Sequence, residues 1–249
     1  MELYDNERID EVNDSLSLIQ KPDGLTFGTD ALLLAGYVSG KRKVGVELGS
    51  GSGIISMLLL SRDKLEKCIA YEVQESYADL TRRNAEYNGL ADRLDTACLD
   101  IREIRASEDA DIVFTNPPYM KSNCGKSNKT DAKAIARHEI HGDIGDFCKA
   151  AKKLLKFGGA FYAVYRPDRL CDLVFEMRAN GIEPKRATFV HADTSSESSM
   201  VLIEAKRGAA SGMMLTPPLI IYADKEHQIY SYEMEYIMQK GSFPDGYKR

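Results

Sequence analysis

Short runs rich in β-branched residues alternate along this chain with longer stretches that repeat apolar residues at helical spacing, and that alternation admits few folds. The strand-like runs are Lys43–Leu48, Lys67–Val73, Leu94–Leu99, Asp111–Thr115, Ala160–Tyr165, Ala187–His191 and Met200–Lys206. The helical patterns are Asp30–Val38, Gly53–Ser61, Glu75–Asn88, Asp143–Lys156 and Arg169–Asn180. Strands that alternate with helices predict an α/β fold, a mostly parallel sheet with helices on both faces. Beyond Gly208 the rhythm fails, and Pro217–Tyr222 followed by Ile229–Lys240 predicts a strand-like segment and a terminal helix packed on the main body. Within 249 residues this gives one domain (1–249), made of an N-terminal segment (1–40), a core (41–207) and a C-terminal extension (208–249).

The first strand ends in an unusual turn. Val44-Gly45-Val46-Glu47-Leu48 runs into Gly49-Ser50-Gly51-Ser52-Gly53, and the apolar helical pattern Ile54–Leu60 follows at once. Alternating glycines let such a turn take positive φ and let a ligand lie against bare backbone at the carboxyl edge of the sheet. The spacing is G-x-G-x-G with an acid two residues before it, not the G-x-G-x-x-G of dinucleotide sites. That favours S-adenosylmethionine, which has no phosphate to cradle but has an ammonium for which Glu47 is a suitable partner. Ile69-Ala70-Tyr71-Glu72 closes the next strand with a carboxylate placed for two ribose hydroxyls, with Val73 beside it. Asp100, followed by Ile101 at the end of the third strand, is placed to accept from an adenine amine. Gly49, Ser50, Gly51, Gly53, Glu47, Glu72, Val73, Asp100 and Ile101 therefore form the candidate cofactor set.

The fourth strand delivers Asn116-Pro117-Pro118-Tyr119 to the same edge. The prolines restrict the backbone around them, so the Asn116 side chain and the Pro117 carbonyl are held in one geometry. A conjugated amine is a poor nucleophile because its lone pair is delocalised. Two rigid acceptors for its N–H groups pull the nitrogen toward a tetrahedral shape and aim the lone pair for in-line methyl transfer. Tyr119 is suited to stack on the planar substrate. Asn116, Pro117, Pro118 and Tyr119 are thus the candidate catalytic residues, and Asn116 also borders the cofactor. The polar interval Met120–Arg137 is long for a plain connection and is expected to be a substrate loop.

Composition narrows the partners. The formal charge is −5, yet Lys121, Lys126, Lys129, Lys133 and Arg137 cluster in the substrate loop, where they are candidate RNA contacts or a solvated surface. A second basic stretch comprises Lys149, Lys152, Lys153 and Lys156. Cys68, Cys98, Cys124, Cys148 and Cys171 show no C-x-x-C pair, and His138 and His141 find no third ligand at suitable spacing, so neither a disulfide frame nor a metal is expected. The polar opening residues and the brevity of the apolar runs Ala31–Val38 and Ile54–Leu60 predict a soluble, cytoplasmic chain.

With these residues the sequence resembles class I methyltransferases that carry the N-P-P-Y motif, and most closely the bacterial transfer-RNA adenine-N6 methyltransferases that act beside the anticodon. Further stretches that carry the resemblance are Phe27-Gly28-Thr29-Asp30-Ala31-Leu32-Leu33-Leu34, Ile135-Ala136-Arg137-His138-Glu139, Lys156-Phe157-Gly158-Gly159 and Val201–Lys206. The resemblance implies a Rossmann-like sheet of seven strands with the last, Val201–Lys206, antiparallel. It also implies that Thr29 and Asp30 lie near the cofactor, and that the substrate is the anticodon arm of a transfer RNA. The motif itself specifies a planar nitrogen rather than its owner, since enzymes that methylate guanine amines or protein glutamine amides share it. Only some forty residues precede the first strand, fewer than the helical domain of the glutamine-specific relatives, and no duplicated domain is evident. Two other classes are weighed against transfer: a non-catalytic RNA-binding module, opposed by the intact motifs, and a nicotinamide oxidoreductase, for which no hydride-transfer acid is present.

Overall fold

A computed structural model describes residues 3–4, 7–21, 28–117 and 142–248. Pro118, Tyr119, the loop 120–137, the cluster at His138 and Glu139, and Phe27 lie outside the described residues. No helix among the described residues is long and apolar enough to cross a membrane.

The chain opens with an antiparallel hairpin, β1 (Arg8–Asn13) and β2 (Leu16–Gln20). The sequence pattern does not reveal it. β1 is RIDEVN, mostly exposed, so the apolar alternation that marks a half-buried strand is missing there. Then come α1 (Thr29–Tyr37), β3 (Arg42–Leu48), α2 (Ile54–Ser61), β4 (Leu65–Glu72), α3 (Glu75–Tyr87), β5 (Leu94–Cys98) and β6 (Ala110–Thr115). After 142 follow α4 (Ile144–Leu154), β7 (Leu155–Tyr165), α5 (Leu170–Ala179), β8 (Ile182–His191), β9 (Ser198–Arg207), the two-residue strands β10 (Met214–Leu215) and β11 (Leu219–Ile220), and α6 (Tyr232–Lys240).

The main strands lie in the order β8-β9-β7-β6-β3-β4-β5, and only β9 is antiparallel to its neighbours. The seven-stranded sheet and its reversed late strand are therefore present, with β10 and β11 added in parallel along β8. The segment Lys156–Gly159 lies inside β7 rather than ahead of it, because β7 starts at Leu155 straight from the end of α4. The chain enters at β3, winds outward through β4 and β5, then returns to the other side of β3 as β6. The crossovers diverge between β3 and β6, so a crevice opens at the carboxyl ends of those two strands.

Two apolar layers cover the sheet. Leu33, Leu34, Leu58, Leu59 and Ala85 of α1, α2 and α3 pack on one face, and Phe147, Ala151, Leu173 and Met177 of α4 and α5 on the other. Asp143 caps α4 through a reciprocal box with Asp146. The end of α1 carries no basic residue of its own, and Lys64 supplies the cation instead, donating to the carbonyls of Ala35, Gly36 and Val38 at 2.8, 3.1 and 2.7 Å.

The hairpin is held by side-chain amides. Asn84 accepts from Ile19 N at 2.7 Å and donates to Ile19 O at 3.1 Å, while Asn88 accepts from Ser17 N at 3.1 Å and donates to Ser17 O at 2.8 Å. Four residues of helix rise about 6 Å and two residues of strand about 6.7 Å, so two asparagines one turn apart can mimic a neighbouring strand. Arg83, just before Asn84, makes a two-pronged pair with Glu7 at 2.8 and 2.7 Å.

At the other end, α6 and the terminal residues close over α1, with Ile237 and Phe243 against Gly36. Arg186 of β8 is 1% exposed, pairs with Glu204 of β9 at 2.8 Å, donates to Tyr37 O and Tyr247 O, and lies 3.9 Å from the centre of the Tyr37 ring. A buried charge that loses its partner is costly. Arg186→Met is expected to lower the unfolding free energy by roughly 3–5 kcal/mol in chemical denaturation, and Arg186→Met with Glu204→Met to recover much of that loss.

Candidate active site

The turn after β3 is built from backbone. Gly49, Gly51 and Gly53 have φ of 73°, 55° and 80°, the left-handed values that the alternating glycines predict. A Cβ at Gly53 would stand 2.7 Å from Thr81 Cγ2, whereas one at Gly51 would meet nothing within 4 Å. Gly51 thus presents bare peptide to an open space. Its N–H donates to Glu72 Oε2 at 2.9 Å, and its carbonyl accepts from Thr81 Oγ1 at 2.9 Å.

Gly53 also opens α2 and brings no capping side chain. Glu47 fills that role from beneath. Its Oε2 accepts from the backbone N–H of Ser56 at 3.1 Å and from the Ser56 hydroxyl, so a carboxyl group from the sheet caps the third N–H of the helix. Glu47 is 1% exposed, and burial pushes its carboxyl up to about 8 against the bonds from Ser56. Alternation along β3 explains the placement: Val46 and Leu48 enter the α4 and α5 layer, and Glu47 faces α2.

Glu72 ends β4, buried, with Oε2 accepting from Gly51 N and Oε1 from Gln74 N at 3.0 Å. Each oxygen thereby uses one of its two lone-pair sites on backbone. Val73 beside it is half-buried. Asp100 caps the short turn Ile101–Glu103, and the Arg102 guanidinium and N–H engage both of its oxygens, holding its carboxyl below the usual range. Ile101 is buried in the layer of α4.

Asn116 stands at the end of β6. Thr115 Oγ1, immediately before it, donates to Leu48 O at 2.8 Å and ties the ends of β6 and β3 together. Asn116 Nδ2 donates to Asp30 Oδ2 at 2.8 Å, so the first turn of α1 reaches the N-P-P-Y strand end, with Thr29 one residue before Asp30. Pro117 is buried and borders a cleft of about 220 Å³ that Tyr165, Arg169, Asp172, Phe175 and Glu176 help to line.

Glu47, Gly49–Gly53, Glu72, Asp100, Asp30 and Asn116 thus gather at one edge of the sheet. Pro118, Tyr119, Lys121, Lys126, Lys129, Lys133 and Arg137 lie outside the described residues. Of the second basic stretch, Lys149 pairs with Asp146, Lys156 with Asp111, and Lys153 donates to Ile104 O, so three of its four lysines serve local contacts. Sequence patterns gave no sign of the contacts made by Thr81 and Thr115, nor of the cleft beside Pro117. Thr81 is buried, yet it stands next to Arg82 and Arg83 in a largely polar helix, and nothing in its spacing separates it from an ordinary surface threonine.

Comparison with known proteins identifies the family and the fold. Residues 22–177 match the methyltransferase small domain. A tRNA1(Val) (adenine(37)-N6)-methyltransferase of Aeromonas hydrophila subsp. hydrophila is 30% identical over 188 residues, which are 74% of this chain and 78% of that protein. Among solved structures, a predicted O-methyltransferase from Agrobacterium tumefaciens aligns with a TM-score of 0.70 at 18% identity, over 86% of this chain and 98% of that one. M. jannaschii TYW2 in complex with AdoMet aligns at 0.56 and 15% identity, over 83% and 89%. The fold is that of the class I methyltransferases, and the chain belongs to the methyltransferase small domain family.

Proposed function

We propose that this protein transfers a methyl group from S-adenosylmethionine to the N6 amine of an adenine in transfer RNA, at position 37 beside the anticodon. The observation that carries the reading is Asn116 at the end of β6, tied through Thr115 to the glycine turn of β3. The relative from Aeromonas hydrophila, whose name states that reaction, supports the choice of adenine and of transfer RNA over a guanine or a glutamine amide.

The residues present fit the cofactor. Gly51 leaves open space where a side chain would stand, and Glu72 keeps a lone-pair site on each oxygen for a ribose hydroxyl. Glu47 would answer the ammonium, Val73, Asp100 and Ile101 the adenine, and Gly49, Ser50 and Gly53 the contour of the turn, with Thr29 covering the site. Asp100 would do so as part of its pair with Arg102. S-adenosylmethionine, when bound, supplies a methyl group on a positively charged sulfur, and the acidic edge suits that charge. Asn116 Oδ1 and the Pro117 carbonyl would accept the two N–H groups of the base and localise its lone pair toward the methyl group that the cofactor would supply, and the proton displaced from the nitrogen would pass to solvent. Pro118 and Tyr119 complete the motif, Tyr119 as the stacking ring. Lys121, Lys126, Lys129, Lys133 and Arg137 are the proposed contacts to the phosphates of the anticodon arm.

Mass spectrometry of nucleosides from each transfer RNA, with and without the gene, tests the reading: N6-methyladenosine should vanish from position 37 of one species. An unchanged set of transfer RNAs would refute it. Asn116→Ala is expected to keep cofactor affinity within a few fold and to lose on the order of 10²–10³ in kcat, because its acceptor acts most strongly as the nitrogen becomes tetrahedral. Single-turnover rates at saturating cofactor measure this.

Glu47 gives a prediction in pH. Burial raises its pKa from 4.5 to about 8, so the free protein carries a proton there across that window while the unfolded chain does not. Its contribution to stability is present at low pH and declines as pH rises from 4.5 through about 8. An ammonium arriving beside Glu47 favours the carboxylate, so cofactor binding at pH 7 should release a proton and tighten as pH rises toward 8. Calorimetry in buffers of different ionisation enthalpy reads that proton, and Glu47→Gln should abolish its release.

A further inference from the structure

Asp30 lies 86 residues before Asn116 in the chain, yet its Oδ2 accepts from Asn116 Nδ2 at 2.8 Å. The other oxygen, Oδ1, accepts from Ala31 N at 2.9 Å in the first turn of α1, where a carboxylate is stabilised by the helix dipole. Gly28 makes room for it, since a Cβ there would come within 2.7 Å of Oδ1. Thr115 and Pro117 hold the backbone on either side of Asn116. The carboxylate and the amide are therefore both anchored before any substrate arrives.

An asparagine amide has two orientations that differ only by exchange of its oxygen and nitrogen. An ionised carboxylate accepts and cannot donate, so beside Asp30 the amide nitrogen must face the carboxylate and Oδ1 must turn from it. We propose that Asp30 is a positioning residue for methyl transfer: it locks the Asn116 amide with Oδ1 toward the acceptor amine, and its charge makes that oxygen a stronger acceptor. Withdrawal of the Asn116 N–H toward a negative group increases electron density on the conjugated carbonyl. The charge also complements the positive charge that grows on the attacking nitrogen. This role is separate from cofactor contact, and it rests on the reading that Asn116 receives the substrate amine.

The test begins without substrate. In 15N spectra of the free protein, the Asn116 side-chain amide, identified by its loss in Asn116→Ala, should show one proton shifted downfield by the charged acceptor. The shift should be smaller in Asp30→Asn and absent in Asp30→Ala. Kinetics with an unmodified tRNA1(Val) transcript and saturating cofactor should then show Asp30→Ala losing roughly 10–100-fold in kcat, by analogy with removal of a group that orients a metal ligand, with KM for RNA and cofactor affinity within a few fold. Asp30→Asn can still accept from Asn116 and should recover part of that loss. Asp30→Ala in the Asn116→Ala background should cost little more, because the group it positions is gone. An unchanged amide signal in Asp30→Ala overturns the proposal, as does an equal fold-loss in both backgrounds. If Asn116→Ala is slow while Asp30→Ala is as fast as wild type, only the role of Asp30 fails; if Asn116→Ala transfers at the wild-type rate, the reading of Asn116 fails and the proposal with it.

Discussion

Three left-handed residues within five positions force the turn after β3 to do with backbone what turns usually do with side chains. Each exposed peptide group there needs a partner from elsewhere. Glu72 takes the N–H of Gly51, Thr81 takes its carbonyl, Asn84 donates to the carbonyl of Ser52, and Glu47 caps the helix that Gly53 opens without a cap. Glu47 and Glu72 therefore have structural employment before any ligand is considered, and Glu72 holds the very peptide that Gly51 presents to open space. Support of the turn and recognition at the turn are not separable functions in this molecule.

The topology concentrates acidic side chains at one edge. Four parallel strands, β3 to β6, end there, and three of those ends carry Glu47, Glu72 and Asp100, with Asp30 brought in by α1. Such an edge disfavours phosphate and favours a cation, which is the electrostatic difference between a sulfonium cofactor and a dinucleotide. A polyanionic substrate must then be drawn by charges placed elsewhere, and only its neutral base brought against Asn116.

The sheet was legible because its strands are short apolar runs between amphipathic helices, and the glycine turn because positive φ at Gly49, Gly51 and Gly53 is a local property of residue type. β1 was not, because a strand of exposed and half-buried, mostly polar residues carries no burial pattern, and the hairpin it forms with β2 is seated through β2 by asparagines far along the chain. The extra turn of strand at Lys156–Gly159 was hidden by the glycines, which sequence patterns assign to connections although Gly158 is accommodated within β7. In the site, the identities of Glu47, Glu72 and Asn116 could be read from motif position, but their partners could not. Asp30 reads as a residue near the cofactor; that it holds the amide of Asn116 depends on how α1 crosses the edge of the sheet, and no local spacing encodes a contact across 86 residues.

The asparagine pair on α3 has a dynamic consequence. Asn84 binds both backbone groups of Ile19 and, with the same amide, the carbonyl of Ser52 inside the glycine turn. Peeling β2 from α3 would strand the amide that steadies the turn, and loosening the turn would weaken the seat of the hairpin. Opening of the amino-terminal hairpin and opening of the turn should thus belong to one cooperative unit of local unfolding, so that a ligand seated on the turn slows hydrogen exchange at Ser17 and Ile19 without touching either.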